Sequence, residues 1–243
     1  MSLDINVITQ TEKYDKVRSI LQDPKRKFII IDGVIGAGKT TLISLIESNL
    51  NNMNNKLKLK VKAIYEPVDL WKSTGALEYF YQDIPKNAYE FQTFTYITRI
   101  NSVIDEIYVC PDADVYILER SIWTDKYIFM EQLRDVIGEL RMLMYTQWCD
   151  MWSYILPMRV DKWVLLNTSL QESLHRITSR NRDGEIEGIT VEYQTNLYKK
   201  HIEFYEKLKT ENKPVVIIDS SLMDANLFSD DSKLNDIIER ILF

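Results

Sequence analysis

The chain has 243 residues, 45% apolar and 27% charged, a globular composition without the long uncharged run of a membrane helix. A formal net charge of −6 offers no broad basic surface for tracking duplex nucleic acid. The two cysteines, Cys110 and Cys149, are far apart with no histidine at ligand spacing, so neither a disulfide scaffold nor a zinc site is expected.

Residues 1–26 read as a polar leader with one short helix closing at Pro24, and residues 27–243 as a single domain. Asp4, Glu12 and Asp15 argue against a secretory or transit segment, so a cytoplasmic location is expected. Phe28 to Ile31 is a short, β-branched, continuously apolar run, as for a central parallel strand covered on both faces. Val61–Tyr65, Val115–Leu118, Val164–Leu166 and Val215–Ile218, the last introduced by Pro214, repeat that character. Between them Tyr89–Tyr108, Leu133–Leu156 and Val191–Leu208 are patterned as helices, the Asn-rich stretch at Asn51 to Asn55 ends another, and Ser229 to Ser232 leads into a last amphipathic one. Alternation of this kind predicts an α/β fold with a five-stranded parallel sheet flanked by helices.

Directly after the first strand stands Gly33-Val34-Ile35-Gly36-Ala37-Gly38-Lys39-Thr40-Thr41, which satisfies the phosphate-binding-loop pattern in the strand-loop-helix context it requires. The glycines let backbone N–H groups close on phosphate oxygens, Lys39 brings a cation to the β- and γ-phosphates, and the Thr40 hydroxyl is a Mg²⁺ ligand. Such a loop names a donor and not a reaction.

The acceptor side rests on weaker signals. Glu66 follows the second strand at the sheet edge where ligands bind, placed either to take a proton from an attacking hydroxyl or as a strand-end charge. Glu119-Arg120 closes the third strand likewise, with Glu119 directed at Mg²⁺ and Arg120 at phosphate, or as a surface salt bridge. Gln92 and Arg99 share one face of an aromatic helix, which suits base-edge recognition or the border of a core stripe. Arg176, Arg180 and Arg182, before the turn Asp183-Gly184-Glu185, fit an Arg-rich lid at about 180–188 over a triphosphate, or a solvated helix end.

Taken together in this order, the loop, Glu66-Pro67-Val68 with Trp71, Phe91-Gln92-Thr93 with Arg99, Glu119-Arg120-Ser121 with Asp125, and the Arg-rich segment followed by Glu192-Tyr193 resemble the deoxynucleoside kinases, from about Phe28 to Leu208. That resemblance implies transfer of the γ-phosphate of ATP, with Mg²⁺, to the 5′-hydroxyl of a deoxyribonucleoside in nucleotide salvage. It implies Glu66 as general base, with Arg120 alongside it as catalytic, Gln92 pairing with the base, Trp71 and Phe91 against it, and Ile35 on the sugar. Tyr81 would meet the 3′-hydroxyl with Glu185 as its partner, or Glu187. Members accepting deoxycytidine or purine deoxynucleosides carry an Arg and an Asp matching Arg99 and Asp125, so these substrates are expected over thymidine. Phe80 and Thr95 are neighbours that also shape that pocket's volume. The family further implies a homodimer, which fits the apolar stretch Leu140 to Leu156 with Trp148 and Trp152, residues equally compatible with ordinary core.

A thymidylate-kinase-type monophosphate kinase would carry an Asp-Arg-Tyr/His-like motif where this chain has Glu119-Arg120-Ser121-Ile122-Trp123. A non-catalytic nucleotide switch would not need Glu66, Gln92 and Arg99 together.

Overall fold

The computed structural model describes residues 5–52, 57–180, 188–219 and 231–243. At its centre is β1 (Lys27–Asp32), paired in parallel with β3 (Val115–Glu119) on one side and β4 (Lys162–Asn167) on the other. Outside these lie β2 (Val61–Ile64), next to β3, and β5 (Val215–Asp219), next to β4, giving the order β2-β3-β1-β4-β5. All five strands are parallel, as expected from their continuous apolar runs: Phe28 to Asp32 and the whole of β3 are buried, while the edge strand β5 is covered less completely. Phe28 and Tyr116 stack across the β1–β3 pair with ring centroids 5.1 Å apart.

Register decides what meets at the carboxyl edge. Ile31 lies opposite Glu119 and Ile64 opposite Leu118, so the segments leaving β1, β2 and β3 emerge level with one another. From β1 the chain enters α2 (Lys39–Leu50), and from β2 it passes through α3 (Val68–Ser73) and α4 (Ala76–Gln82) into α5 (Ile84–Val109). The Asp83 side chain caps α5 by accepting the Lys86 N–H at 3.2 Å, and Pro85 occupies its first turn, where a missing donor costs nothing.

Two helical expectations are corrected. The leader's short helix is α1 (Ile5–Gln22), 18 residues long, and its Val17, Ile20 and Leu21 join the common core against α5. These apolar positions stand at helical spacing, Tyr14 packs at their edge, and Arg18 Nε donates to the Ile155 carbonyl at 3.0 Å. The helix expected over Leu133–Leu156 is interrupted: α7 (Arg134–Ile137) and α8 (Glu139–Ile155) are separated by Gly138, whose φ of 82° and ψ of 157° lie outside any helix. Ahead of them a short turn, α6 (Ile122–Thr124), runs into a π-helical segment, Asp125–Met130. After β4 come α9 (Leu170–Arg180) and α10 (Val191–Thr210), and α11 (Asp231–Leu242) closes the chain against β4 and β5.

Candidate active site

The loop after β1 is shaped by its glycines and pressed onto α9. Gly36 and Gly38 have φ of 79° and 93°, a region that side chains disfavour. A β-carbon on Gly36 would also lie 2.6 Å from the Ser173 carbonyl oxygen. Lys39 arches over the loop, its Nζ donating to the carbonyls of Gly33 at 3.3 Å and Val34 at 3.2 Å. Burial and then the nearby Arg120 lower its ammonium to about 8, against the pull of Glu119, Glu66 and Asp32. Gly33 and Ala37 serve through their carbonyls: Arg120 Nη2 donates to Gly33 at 3.1 Å, and Arg176 Nη1 and Thr168 Oγ1 donate to Ala37 at 2.9 and 3.3 Å.

Thr40 Oγ1 donates to Glu119 Oε1 at 2.8 Å. A hydroxyl and a carboxylate adjoining a phosphate loop form a hard oxygen set, and Mg²⁺ takes one or two such protein ligands alongside phosphate and water. The residues present therefore fit a phosphate-bound Mg²⁺.

Glu66, two residues past the end of β2, is level with Arg120, one past the end of β3. Its Oε2 accepts from Arg120 Nη1 at 2.7 Å, and its Oε1 accepts from the same nitrogen at 2.9 Å and from Arg99 Nη2 at 2.8 Å. Arg99 turns its other edge to Asp125, donating from Nε at 2.7 Å and Nη2 at 3.1 Å, while its Nη1 donates to the Glu119 carbonyl at 3.0 Å. Burial alone would raise the Glu66 carboxyl, but Arg120, Arg99 and Lys39 outweigh it and hold the group well below the usual carboxylate range. These charges are nearly inaccessible to water, so their attraction is little screened.

Arg120 adopts φ 61°, a left-handed conformation unusual for a residue with a β-carbon. Its N–H donates to the Ile31 carbonyl at 3.0 Å, and Ser121 caps the following turn with Thr124 in a reciprocal capping pair. Thr124 Oγ1 donates to Asp32 Oδ1 at 2.7 Å, and the Tyr205 hydroxyl donates to Asp32 Oδ2 at 2.9 Å. Asp32, fully buried and raised by that burial against these two bonds, thus anchors the turn that carries Arg120. Sequence reading passed over Asp32, whose signal is an acid closing an apolar strand immediately before Gly33.

These groups border a cavity of about 350 Å³, within the range of small-ligand sites. Ile35, Gly36, Gly38, Lys39, Thr40, Thr41, Glu119, Arg176 and Arg180 line its loop side, with Glu66 and Arg120 between them and the apolar end. Trp71, Tyr81, Phe91, Gln92, Arg99 and Asp125 line the remainder, so most of the expected site residues converge there. Phe80 and Thr95 are wall residues too, and Phe80 stacks on Phe91 at 4.4 Å between centroids. Trp71 meets Phe91 edge-on at 6.0 Å and donates Nε1–H to Thr98 Oγ1 at 2.9 Å. Val68, Leu77, Phe129 and Tyr193 also line the cavity; Leu77 and Phe129 were missed, and Val68 and Tyr193 stood in the quoted motifs without a role. Phe129 comes from the π-helical turn, which delivers it and Asp125 to one side and lays its ring 4.7 Å from the Arg120 guanidinium carbon. Gly188 packs against Tyr81 so closely that a β-carbon would lie 2.2 Å from its Cδ1. Arg182, Glu185 and Glu187 lie outside the described residues.

A family model described as deoxynucleoside kinase matches residues 29–242. A probable deoxycytidine kinase of fowlpox virus is 29% identical over 231 residues, covering 92% of this chain and 89% of that protein. Deoxycytidine kinase 2 of Gallus gallus is 30% identical over 206 residues, 74% of each chain. Mitochondrial thymidine kinase 2 of Macaca fascicularis is 26% identical over 204 residues, 81% of this chain and 71% of the other.

Proposed function

The chain belongs to the deoxynucleoside kinase family and is therefore a kinase, and from that footing we propose that it moves the γ-phosphate of ATP to the 5′-hydroxyl of a deoxyribonucleoside in nucleotide salvage. The observation that carries this reading is the placement of Glu66. Its carboxylate borders the same cavity as the phosphate loop, and Arg120 links the two by donating to both Glu66 and the Gly33 carbonyl.

In this mechanism the loop N–H groups and Lys39 bind the triphosphate, with Arg176 and Arg180 on its outer side. Thr40 and Glu119 would hold Mg²⁺, which supplies charge neutralisation on the phosphates when bound. Glu66 accepts the proton of the 5′-hydroxyl. Held ionised by two guanidiniums it is a weak base, so its task is to orient the hydroxyl and receive the proton late, as charge leaves the attacking oxygen. Arg120 keeps Glu66 aimed and faces the transferring group. Gln92 reads the base edge between Trp71 and Phe91, Ile35 borders the sugar, and Tyr81 with Glu185 or Glu187 meets the 3′-hydroxyl.

The Arg99–Asp125 pair supports deoxycytidine or a purine deoxynucleoside over thymidine, because it fills the space beside the base with fixed donors and an acceptor. A homodimer is proposed through α8, whose Leu140, Leu143, Met144, Trp148, Met151 and Tyr154 are exposed. Their spacing of three, four and seven residues makes one helical stripe, and a second copy presenting the same stripe would cover it symmetrically. No helix among the described residues is long and apolar enough to cross a membrane, and a cytoplasmic setting is proposed.

The test is phosphorylation of the four common deoxyribonucleosides and of thymidylate with ATP and Mg²⁺, with Glu66→Gln in parallel. Turnover of deoxycytidine or a purine deoxynucleoside, lost in Glu66→Gln, is expected. Turnover of thymidine alone would overturn the base preference, and turnover of thymidylate alone the reaction itself.

A further inference from the structure

Gln194, in the first turn of α10, is completely buried yet does not border the cavity. Its Nε2 donates to the carbonyl of Ile35, inside the phosphate loop, at 2.7 Å, and to Ser173 Oγ on α9 at 3.1 Å. Ser173 spends its own hydroxyl proton on the Leu170 carbonyl at 3.0 Å, so it can only accept from Gln194. One amide therefore joins three segments: the loop, the helix carrying Arg176 and Arg180, and the helix beginning just after Gly188.

The consequence follows from peptide geometry. In a planar trans peptide the C=O and N–H point in opposite directions. Holding the Ile35 carbonyl toward Gln194 therefore turns the Gly36 N–H away from it. Arg176 and Thr168 do the same to the next but one unit by holding the Ala37 carbonyl, which turns away the Gly38 N–H. Gly36 and Gly38 both line the cavity, on the side where a phosphate needs donors. The Ala37 N–H donates to the Val34 carbonyl at 3.2 Å and closes a turn around the first of these units, and since turns of this kind exist with the central peptide in either orientation, the bond from Gln194 to the Ile35 carbonyl selects between them.

We propose that Gln194 is a positioning residue for donor binding, which presets the Ile35–Gly36 peptide so that its N–H, and not its carbonyl, faces the triphosphate. The assignment rests on reading the loop as a triphosphate site. Without Gln194 the Ile35 carbonyl loses its side-chain donor, and rotation of that peptide toward the cavity would present an oxygen to the phosphates.

The test is titration calorimetry of Mg²⁺·ATP and, separately, of deoxycytidine against the full chain, as wild type, Gln194→Leu and Ser173→Ala, with melting temperatures alongside. Gln194→Leu is expected to weaken ATP about tenfold, the scale of one buried hydrogen bond, and to change deoxycytidine less than about twofold. Ser173→Ala, which frees the amide without removing it, is expected to weaken ATP about two- to threefold. A lowered melting temperature with unchanged ATP affinity, or equal weakening of both ligands, would overturn the proposal in favour of ordinary packing. Should Gln194→Leu not fold, Ser173→Ala decides alone, and no change in its ATP affinity overturns the assignment. A wild type that binds ATP but phosphorylates no nucleoside would refute the proposed reaction while leaving this titration valid.

Discussion

The two halves of the cavity are held in different ways. On the side proposed for the donor, the groups that would work are backbone N–H units, and neighbouring elements hold their peptides from outside through the Ile35 and Ala37 carbonyls. On the side proposed for the acceptor they would be side chains, and these fix one another: Glu66, Arg99, Arg120 and Asp125 form one buried network drawn from four separate segments. A loop built from backbone tolerates changes of neighbouring side chains as long as its peptide planes keep their orientation. A network of mutually paired charges cannot lose one member without leaving another uncompensated.

That contrast can be broken most sharply at Glu66. Glu66→Gln is expected to lower kcat by roughly 10² to 10⁴, the usual worth of a general base, while leaving ATP affinity within a few-fold. A comparable loss of ATP affinity would mean that the two halves are not separable. Next in size is Arg99→Met, which strands Asp125 and removes one of two partners from Glu66. Urea unfolding should show a loss of about 3 to 5 kcal/mol, partly restored in Arg99→Met/Asp125→Leu. Failure of the second change to restore stability would mean that the pair is not the unit of cost.

The donor half should answer to pH instead. With Lys39 lowered to about 8 in the free protein, its charge is present below that pH and lost above it. The kcat/KM for ATP is therefore expected to fall about tenfold per pH unit above 8, whereas kcat at saturating ATP holds to higher pH, because bound phosphate stabilises the ammonium. A kcat that falls in parallel would point to a group in the bound complex other than Lys39. Smallest in effect on the cavity, Trp148→Asp on α8 should halve the mass seen by sedimentation at micromolar concentration and change kcat little. An unchanged mass would refute the α8 interface.

The same contrast explains how much was legible in the sequence. The loop was readable because it is contiguous, and the strands because parallel pairing buries both faces and leaves unbroken apolar runs. Glu66, Gln92, Arg99, Glu119, Arg120 and Asp125 were readable as a set only through their resemblance to a family, since each by itself admits a bland role. What stayed hidden depends on tertiary proximity. Asp32 and Tyr205 meet across 173 positions. Gln194 looks like any polar residue on an amphipathic helix until Ile35 is placed against it. Phe129 is brought to the cavity by a π-helical turn, whose departure from the ordinary helical period erases the pattern that would have marked it. The length of α1 was hidden because its described core residues, Val17, Ile20 and Leu21 with Tyr14 at their edge, are spread thinly among polar ones.

Arg120 carries a warning for anyone redesigning this protein. Its left-handed backbone, at φ 61°, disfavours a side chain by roughly 1 to 2 kcal/mol, and glycine or asparagine would sit there more easily. Relieving that strain with glycine would strip buried Glu66 of a guanidinium and the Gly33 carbonyl of its donor, a loss of about 3 to 5 kcal/mol that exceeds the gain, so the strained conformation is the stable solution at position 120 as well as the one that puts a guanidinium between Glu66 and the phosphate loop.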